Sequence, residues 1–153
     1  MLAIHEYRPI VLRDPERVVR LQIGHTGDDG ATNAMSTMAY PLFREVAGLD
    51  RVFQQVAALR ADSSTTGRGA DLAQIAVVSA SGSYFEVLRA RSALGRTFGP
   101  GDDRAPDGND VVVLSHAYWL RRFAGAPTVG GQTLVVDGRD LTIIGVAERG
   151  FNG

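Results

Sequence analysis

Apolar positions along the chain change their spacing several times, and each change marks an element. Residues 1–17 show little periodicity and carry Pro9 and Pro15, which reads as an arm ending at Asp14-Pro15-Glu16. Val18 to Ile23 is rich in β-branched residues and sets Val19, Leu21 and Ile23 on one face of a strand. His25 to Thr37 is small and polar and reads as a loop. Pro41 suits the first turn of a helix, and Leu42, Phe43, Val46 and Leu49 then recur at helical spacing. Phe53–Leu59 and Leu72–Val78 read as the two strands of a hairpin, with Asp62 to Gly69 as its long tip.

The second half is patterned more sharply. Ser83-Tyr84-Phe85-Glu86 has the form of a capping box and predicts a short helix through Leu88. Residues 92–110 form a connection rich in turn residues, from Gly95 to Gly108. Val111 to Leu114 is a short buried strand. Ser115 then caps a helix carrying Tyr118, Trp119, Leu120 and Phe123. Arg121 and Arg122 lie in its last turn, where cations suit the helix dipole, and Gly125 and Pro127 end it. Thr133–Val136 and Leu141–Val146 make a hairpin over the favoured turn pair Asp137-Gly138. Trp119 and Phe123 share a helix face, so both are expected to be largely buried against Leu134, Val136, Ile143 and Val146. On that footing Trp119→Ala would cost about 3–5 kcal/mol. The pattern as a whole predicts an α+β fold of two small lobes meeting near residue 80. One is a strand, helix and hairpin over 18–80, and the other holds short helices, a strand and a hairpin over 81–153.

Composition narrows the function more than the fold. A chain of 153 residues suits one domain, or two small lobes sharing a chain. A net charge of -1 gives no general attraction to nucleic acid or anionic membrane. The absence of cysteine excludes disulfides and thiolate metal sites. All 16 basic residues are arginine. Without lysine there is no Walker A phosphate loop, no pyridoxal Schiff base and no kinase strand lysine. No stretch approaches the roughly 20 apolar residues that span a bilayer. The first residues also lack the basic-then-apolar form of a signal peptide.

Candidate chemistry is sparse. His5, His25 and His116 are dispersed, with no second ligand type at helical spacing, and His116 fits a structural place in the first turn of its helix. Ser79 to Ser83 is small and flexible but lacks the G-x-S-x-G elbow, and a turn with a cap explains it. The acidic group Asp102, Asp103, Asp107, Asn109 and Asp110 is the one candidate for a metal, as a flexible oxygen-rich loop suited to calcium. Its spacing is not that of an EF-hand, and loop Asp and Asn commonly make Asx turns instead. Glu45, Glu86 and Glu148 are scattered, and Arg121-Arg122 is too short for a nucleic-acid patch. The residues by themselves lead to a soluble α+β domain with no detectable active site.

Several segments carry a resemblance. Arg8-Pro9-Ile10-Val11-Leu12 followed by Asp14-Pro15-Glu16-Arg17-Val18-Val19, Tyr40-Pro41-Leu42-Phe43-Arg44-Glu45, and Ser83-Tyr84-Phe85-Glu86-Val87-Leu88 with Ala93-Leu94-Gly95-Arg96-Thr97-Phe98 are three of them. Val111 to Phe123 and Gly131 to Leu134 with Ile143 to Val146 and Gly150-Phe151 complete the set. In this order and spacing they resemble the MacB-like periplasmic core domain of permeases with an FtsX-like membrane region, above all the duplicated branch without a fused ATPase. Three positions depart from that pattern: Ala39 where a serine cap is usual, a small insertion at Ala80-Ser81, and Arg89 where a glycine is usual.

The resemblance implies a non-catalytic domain on the periplasmic face of the bacterial inner membrane, in an ABC-type permease. It implies that residues 1–17 follow a transmembrane helix, that 18–80 form a porter-like lobe, and that 81–153 form a second lobe continuing beyond this chain. Implied partners are the permease's own membrane region, a second copy of the domain and a separate ATPase subunit, with no nucleic acid. The family supplies no catalytic, cofactor or metal residues. Ser79–Gly82 and Gly95–Gly101 are the expected hinges. A free-standing ligand-binding or adaptor domain, or a small hydrolase, are the competing readings.

Overall fold

Short β-branched runs separated by Gly, Pro and Asp turns cannot each bury a face alone, so they collect into sheets. The computed structural model describes residues 2–4, 15–26, 32–35, 38–103 and 110–151. In chain order the strands and helices are β1 (Leu2–Ile4), β2 (Ile23–Thr26), β3 (Thr32–Met35), α1 (Tyr40–Ala47), β4 (Leu59–Thr66) and β5 (Ala73–Ala80). They continue with α2 (Tyr84–Val87), β6 (Ser92–Gly95), β7 (Val111–Leu114), α3 (His116–Phe123), β8 (Thr133–Val136) and β9 (Arg139–Ala147). This is the mixed α+β composition the sequence predicts.

Two compact units divide the chain: residues 14–56, and residues 1–13 with 57–153. The first holds the antiparallel β2–β3 ribbon and α1. Pro41 sits in the first turn of α1, Ala39 at its N-cap makes no side-chain bond, and Phe43 is its buried residue. β2 and β3 occupy the stretch expected to be a loop. Residues 18–22 are not strand, and neither are 53–58.

In the second unit the strands run β6-β9-β7-β1-β5-β4-β8, and β8 pairs again with β9. β9, β7, β1, β5, β4 and β8 therefore close into a ring. β6 lies beside β9 on the same edge as β8, because Thr142 pairs with both Val111 and Thr133, while Gly145 pairs with both Val113 and Gly95. β1 fills the middle, parallel to β7 and antiparallel to β5. The β4–β5 hairpin, grouped by sequence with residues 18–80, thus shares one sheet with β7, β8 and β9. Hydrogen bonding of β1 to both β5 and β7 is what joins them.

Strand alternation sorts the apolar residues into two cores. Ile75, Val77, Val112, Leu114, Leu134, Val136, Leu141 and Ile143 fill the ring, which Tyr118 and Val129 close at one end. The intervening Val78 and Val113 face outward onto Tyr84, Phe85, Leu88, Phe98 and Phe151. One irregularity lets β9 serve both cores. Its pairing with β7 skips a residue, Val112 to Ile143 and then Val113 to Gly145. That bulge resets the alternation, so Leu141 and Ile143 point into the ring and so does Val146, three residues on.

The α3 segment forms as its sequence requires. Ser115 Oγ accepts from the Tyr118 N–H at 3.2 Å, and Ala124 ends the helix in the left-handed region at φ 50°. Tyr118, not Trp119, is the residue driven into the core. Tyr118 is 4% exposed, whereas Trp119 and Phe123 are half-buried at the flank of the same cluster. Neighbouring helical positions diverge by about 100°, so one helix cannot aim both Tyr118 and Trp119 inward. The indole N–H of Trp119 donates to Ala126 O at 2.9 Å and fastens the turn after the helix. We therefore expect Trp119→Ala to cost about 2 kcal/mol, below the figure for a full core residue. Urea unfolding measures it, and a loss above about 4 kcal/mol would restore the core assignment.

The helix after β5 ends at Leu88 as expected and differs from expectation at its start. Ser83 has helical φ/ψ and makes no side-chain cap bond, so the capping box does not form. At the C-terminus, Arg89 takes φ 51°, and the Ala90 N–H reaches back to Phe85 O at 3.0 Å. The site where the family pattern carries glycine is thus a left-handed helix stop, here filled by arginine.

Candidate functional site

β4 reads LRADSSTT, too polar to announce itself as a strand, yet it pairs with β5 over its whole length. Asp62 lies opposite Val77 and Ser64 opposite Ile75, both of which fill the ring. β4 therefore contributes polar side chains where the other strands contribute apolar ones. The result is a recess of about 380 Å³ with Arg60, Asp62, Ser64, Ser79, Asp137 and Arg139 on its walls and Leu2, Val77 and Val136 as apolar floor. Its charges are tied to partners. Arg60 pairs with Asp62, and Arg139 pairs with Asp110.

Asp137 is the most committed of these groups. Its carboxylate accepts from the Thr65 N–H at 2.7 Å and from the Thr65 hydroxyl at 2.8 Å. These bonds, with one from the Ser64 hydroxyl, hold its carboxyl below the usual range. A depressed carboxyl contributes stability at neutral pH and loses it as pH falls through the depressed value. Asp137 and Gly138 both have positive φ, 47° and 79°, as the two-residue hairpin turn requires.

The acids of this loop that fall within the described residues are engaged in structural bonds. Arg96 donates to both oxygens of Asp102, at 2.6 and 2.9 Å, and the Gly99 N–H donates to the same carboxylate at 3.0 Å. Asp103 accepts from the Gly82 N–H at 3.0 Å. Asp110 holds Arg139. Asp107 and Asn109 lie outside the described residues. Among the described residues no group of three or more His, Asp or Glu side chains is placed to hold a metal ion.

The two expected hinges are brought together and packed. A Cβ on Gly82 would stand 2.6 Å from Pro100 Cα and 2.7 Å from Gly99 O, so the turn and the loop touch backbone to backbone. Ser81 adds a reciprocal pair with Ala58: its N–H donates to Ala58 O at 2.9 Å, and its Oγ accepts from the Ala58 N–H at 3.0 Å. That geometry is a clasp between β4, β5 and the Gly95–Gly101 loop.

The remaining candidates disperse. His116 sits edge-to-face with Trp119 at 5.3 Å, a packing role. His5 lies outside the described residues, and only the backbone of His25, in β2, falls within them. Arg121 stands over the Tyr118 ring at 5.8 Å. Glu148 accepts from the Arg91 N–H at 3.0 Å. Among the described residues, the buried hydroxyls of Tyr84 and Tyr118 have no hydrogen-bond partner, and burial pushes the Tyr84 phenol above its usual range. The residues missed by sequence reasoning are Arg60, Asp62, Ser64 and Asp137. Period-two polarity in Leu59–Thr66 was the available signal, hidden because neither face of the strand is apolar.

These features define a class: a mixed α+β domain with a closed sheet, in which Arg60, Arg96 and Arg139 are each paired with a carboxylate. Over residues 8–153 the chain matches the MacB-like periplasmic core domain family, and it belongs to that family. It is an extracytoplasmic, periplasmic-type domain, and no helix among the described residues is long and apolar enough to cross a membrane. A search of curated protein sequences finds no match. Among solved structures, the chain is similar to the extracellular domain of the noncanonic ABC-type transporter YknZ from Gram-positive bacteria, with a TM-score of 0.62 and 21% identity, over 74% of this chain and 59% of that one. It is also similar to the periplasmic region of MacB from Actinobacillus actinomycetemcomitans, with a TM-score of 0.54 and 24% identity, over 65% of this chain and 45% of that one. At these identities the likeness is one of fold. The chain spans 59% of the length of the first of these and 45% of the second.

Proposed function

We propose that the chain is the non-catalytic extracytoplasmic domain of an ABC-type permease and that it couples membrane-helix movement to export or partner contact. The observation that carries this is the family match over residues 8–153. The position of β1 supplies a physical route. Residues 1–17 lead in from a membrane helix in this reading, and β1 ties that lead to β5 on one side and β7 on the other. A displacement of the helix is then delivered to the middle of the sheet instead of to a peeling edge. Packed clasps and engaged charges serve such rigid-body movement, which needs no reactive side chain.

The partners in this reading are the permease's membrane region, a second copy of the domain facing this one, and a separate ATPase subunit. In the full-length permease, cysteine pairs placed across the two facing copies are expected to crosslink, and the crosslink is expected to block ATP-driven export. Unchanged export with the copies locked together, or with residues 57–151 deleted, overturns the coupling role.

A further inference from the structure

The ring of strands is closed unevenly. β4 pairs with β5 through eight residue pairs, from Leu59 with Ala80 to Thr66 with Ala73, but meets β8 at one, Thr66 with Val136. Apolar packing at that junction is confined to the buried pair of Thr66 and Val136, since Asp62 and Ser64 stand on β4's inner face opposite the apolar Val77 and Ile75. Hydrogen bonds hold it, and they converge on two turns. The Asp137 N–H donates to Thr65 O at 2.8 Å while the Asp137 carboxylate takes both Thr65 donors. The Thr66 hydroxyl donates to Val135 O at 2.8 Å, and the Gly67 N–H reaches the same oxygen at 3.3 Å. Arg68 and Asp140 add an exposed ion pair. The polar recess lies immediately beside this seam, with Asp137 in its wall.

We propose that the β4–β8 seam is a latch. The ring opens locally when Asp137 releases Thr65, while β9, β7, β1 and β5 stay paired, and opening widens the polar recess. A junction of one residue pair, held in part by exposed hydrogen bonds from Thr65 to Asp137, opens at less cost than a ladder of eight pairs, so the seam is the weaker of β4's two edges. The inference does not depend on the transporter reading.

Amide hydrogen exchange on the 153-residue chain tests it, comparing wild type with Asp137→Asn. Asn-Gly is as well suited to this hairpin turn as Asp-Gly, so the variant removes the charge and leaves the turn. The expected result is exchange about tenfold faster at the amides of Thr65, Gly67 and Asp137, with those of Val112 and Val113 in β7 unchanged. A second variant clamps the seam. Thr66 and Val136 face each other as a pair flanked by, not joined by, hydrogen bonds, the closest approach an antiparallel ladder offers. With no native cysteine to compete, Thr66→Cys with Val136→Cys should form a disulfide that slows the same three amides, reversibly on reduction. Unchanged exchange at the seam in Asp137→Asn, or equal acceleration across the whole sheet, overturns the latch.

Discussion

Replacing Phe85 by alanine is expected to lower stability by about 3–5 kcal/mol, the largest effect of any single truncation in the outer core. Phe85 is 2% exposed and touches three other rings: Phe98 edge-on at 4.6 Å, Tyr84 edge-on at 5.2 Å and Phe151 at 5.5 Å. Those partners come from α2 itself, from the loop before the acidic turn and from the stretch that follows β9. The ring is therefore the point at which three separate stretches are packed onto the outer face of the sheet. Each edge-on aromatic pair adds about 0.5–1.5 kcal/mol beyond the area it buries. Thermal unfolding measures the loss, about 2–4 °C for each kcal/mol in a chain of this size. A loss under about 1 kcal/mol would mean that the three stretches hold their places without it.

Gly145→Ala is expected to cost about 3 kcal/mol or more, although it adds a single methyl group. A Cβ at this position would lie 2.1 Å from Arg96 O and 2.8 Å from both Arg96 N and Leu94 O. All three are backbone atoms, so no side-chain rotation relieves the clash. Only movement of β6 away from β9 does so, at the expense of the Arg96 N–H bond to Ile144 O. The same displacement carries Arg96 from Asp102. A double variant, Gly145→Ala with Asp102→Ala, should then cost less than the sum of its parts, since the first change already weakens the second contact. Strict additivity in urea unfolding would show that β6 does not move.

Legibility in the sequence followed burial. β7, α3 and the β8–β9 hairpin were readable because each carries a local signal that tertiary structure reinforces: Val111 to Leu114 as an apolar run, Ser115 as a cap, Asp137-Gly138 as a turn. β4 was not, since its inward positions Asp62 and Ser64 line a polar recess and its outward positions meet solvent. β1 was hidden for another reason. Three residues give no periodicity, and Leu2–Ile4 is a strand only because β5 and β7 supply partners on both sides. The pairing of Trp119 with Phe123 on one face was correctly read, but rotation of α3 about its axis turned Tyr118 to the centre. Sequence spacing fixes which residues share a face and leaves open which face meets the core. The candidate site was least visible, because Asp137 and Thr65 are brought together by ring closure across 72 positions of sequence.

The central place of β1 also governs the order in which the molecule can be made. Its partners are Val77 to Ser79 and Val112 to Leu114, so this strand waits until residue 114 for its second neighbour. Until residue 80 has emerged there is no neighbour on one side, and until residue 114 none on the other. Ring closure waits further, for Val136. Such long-range pairing folds slowly, because loop entropy is lost before contacts repay it. During that interval β1 presents the edge meant for β7, and β4 the edge meant for β8, to whatever is nearby, including nascent copies of the same chain. Chaperone protection of this segment should therefore matter most while the region between residues 80 and 114 is being synthesised, and pausing of synthesis there should lower the yield of folded protein.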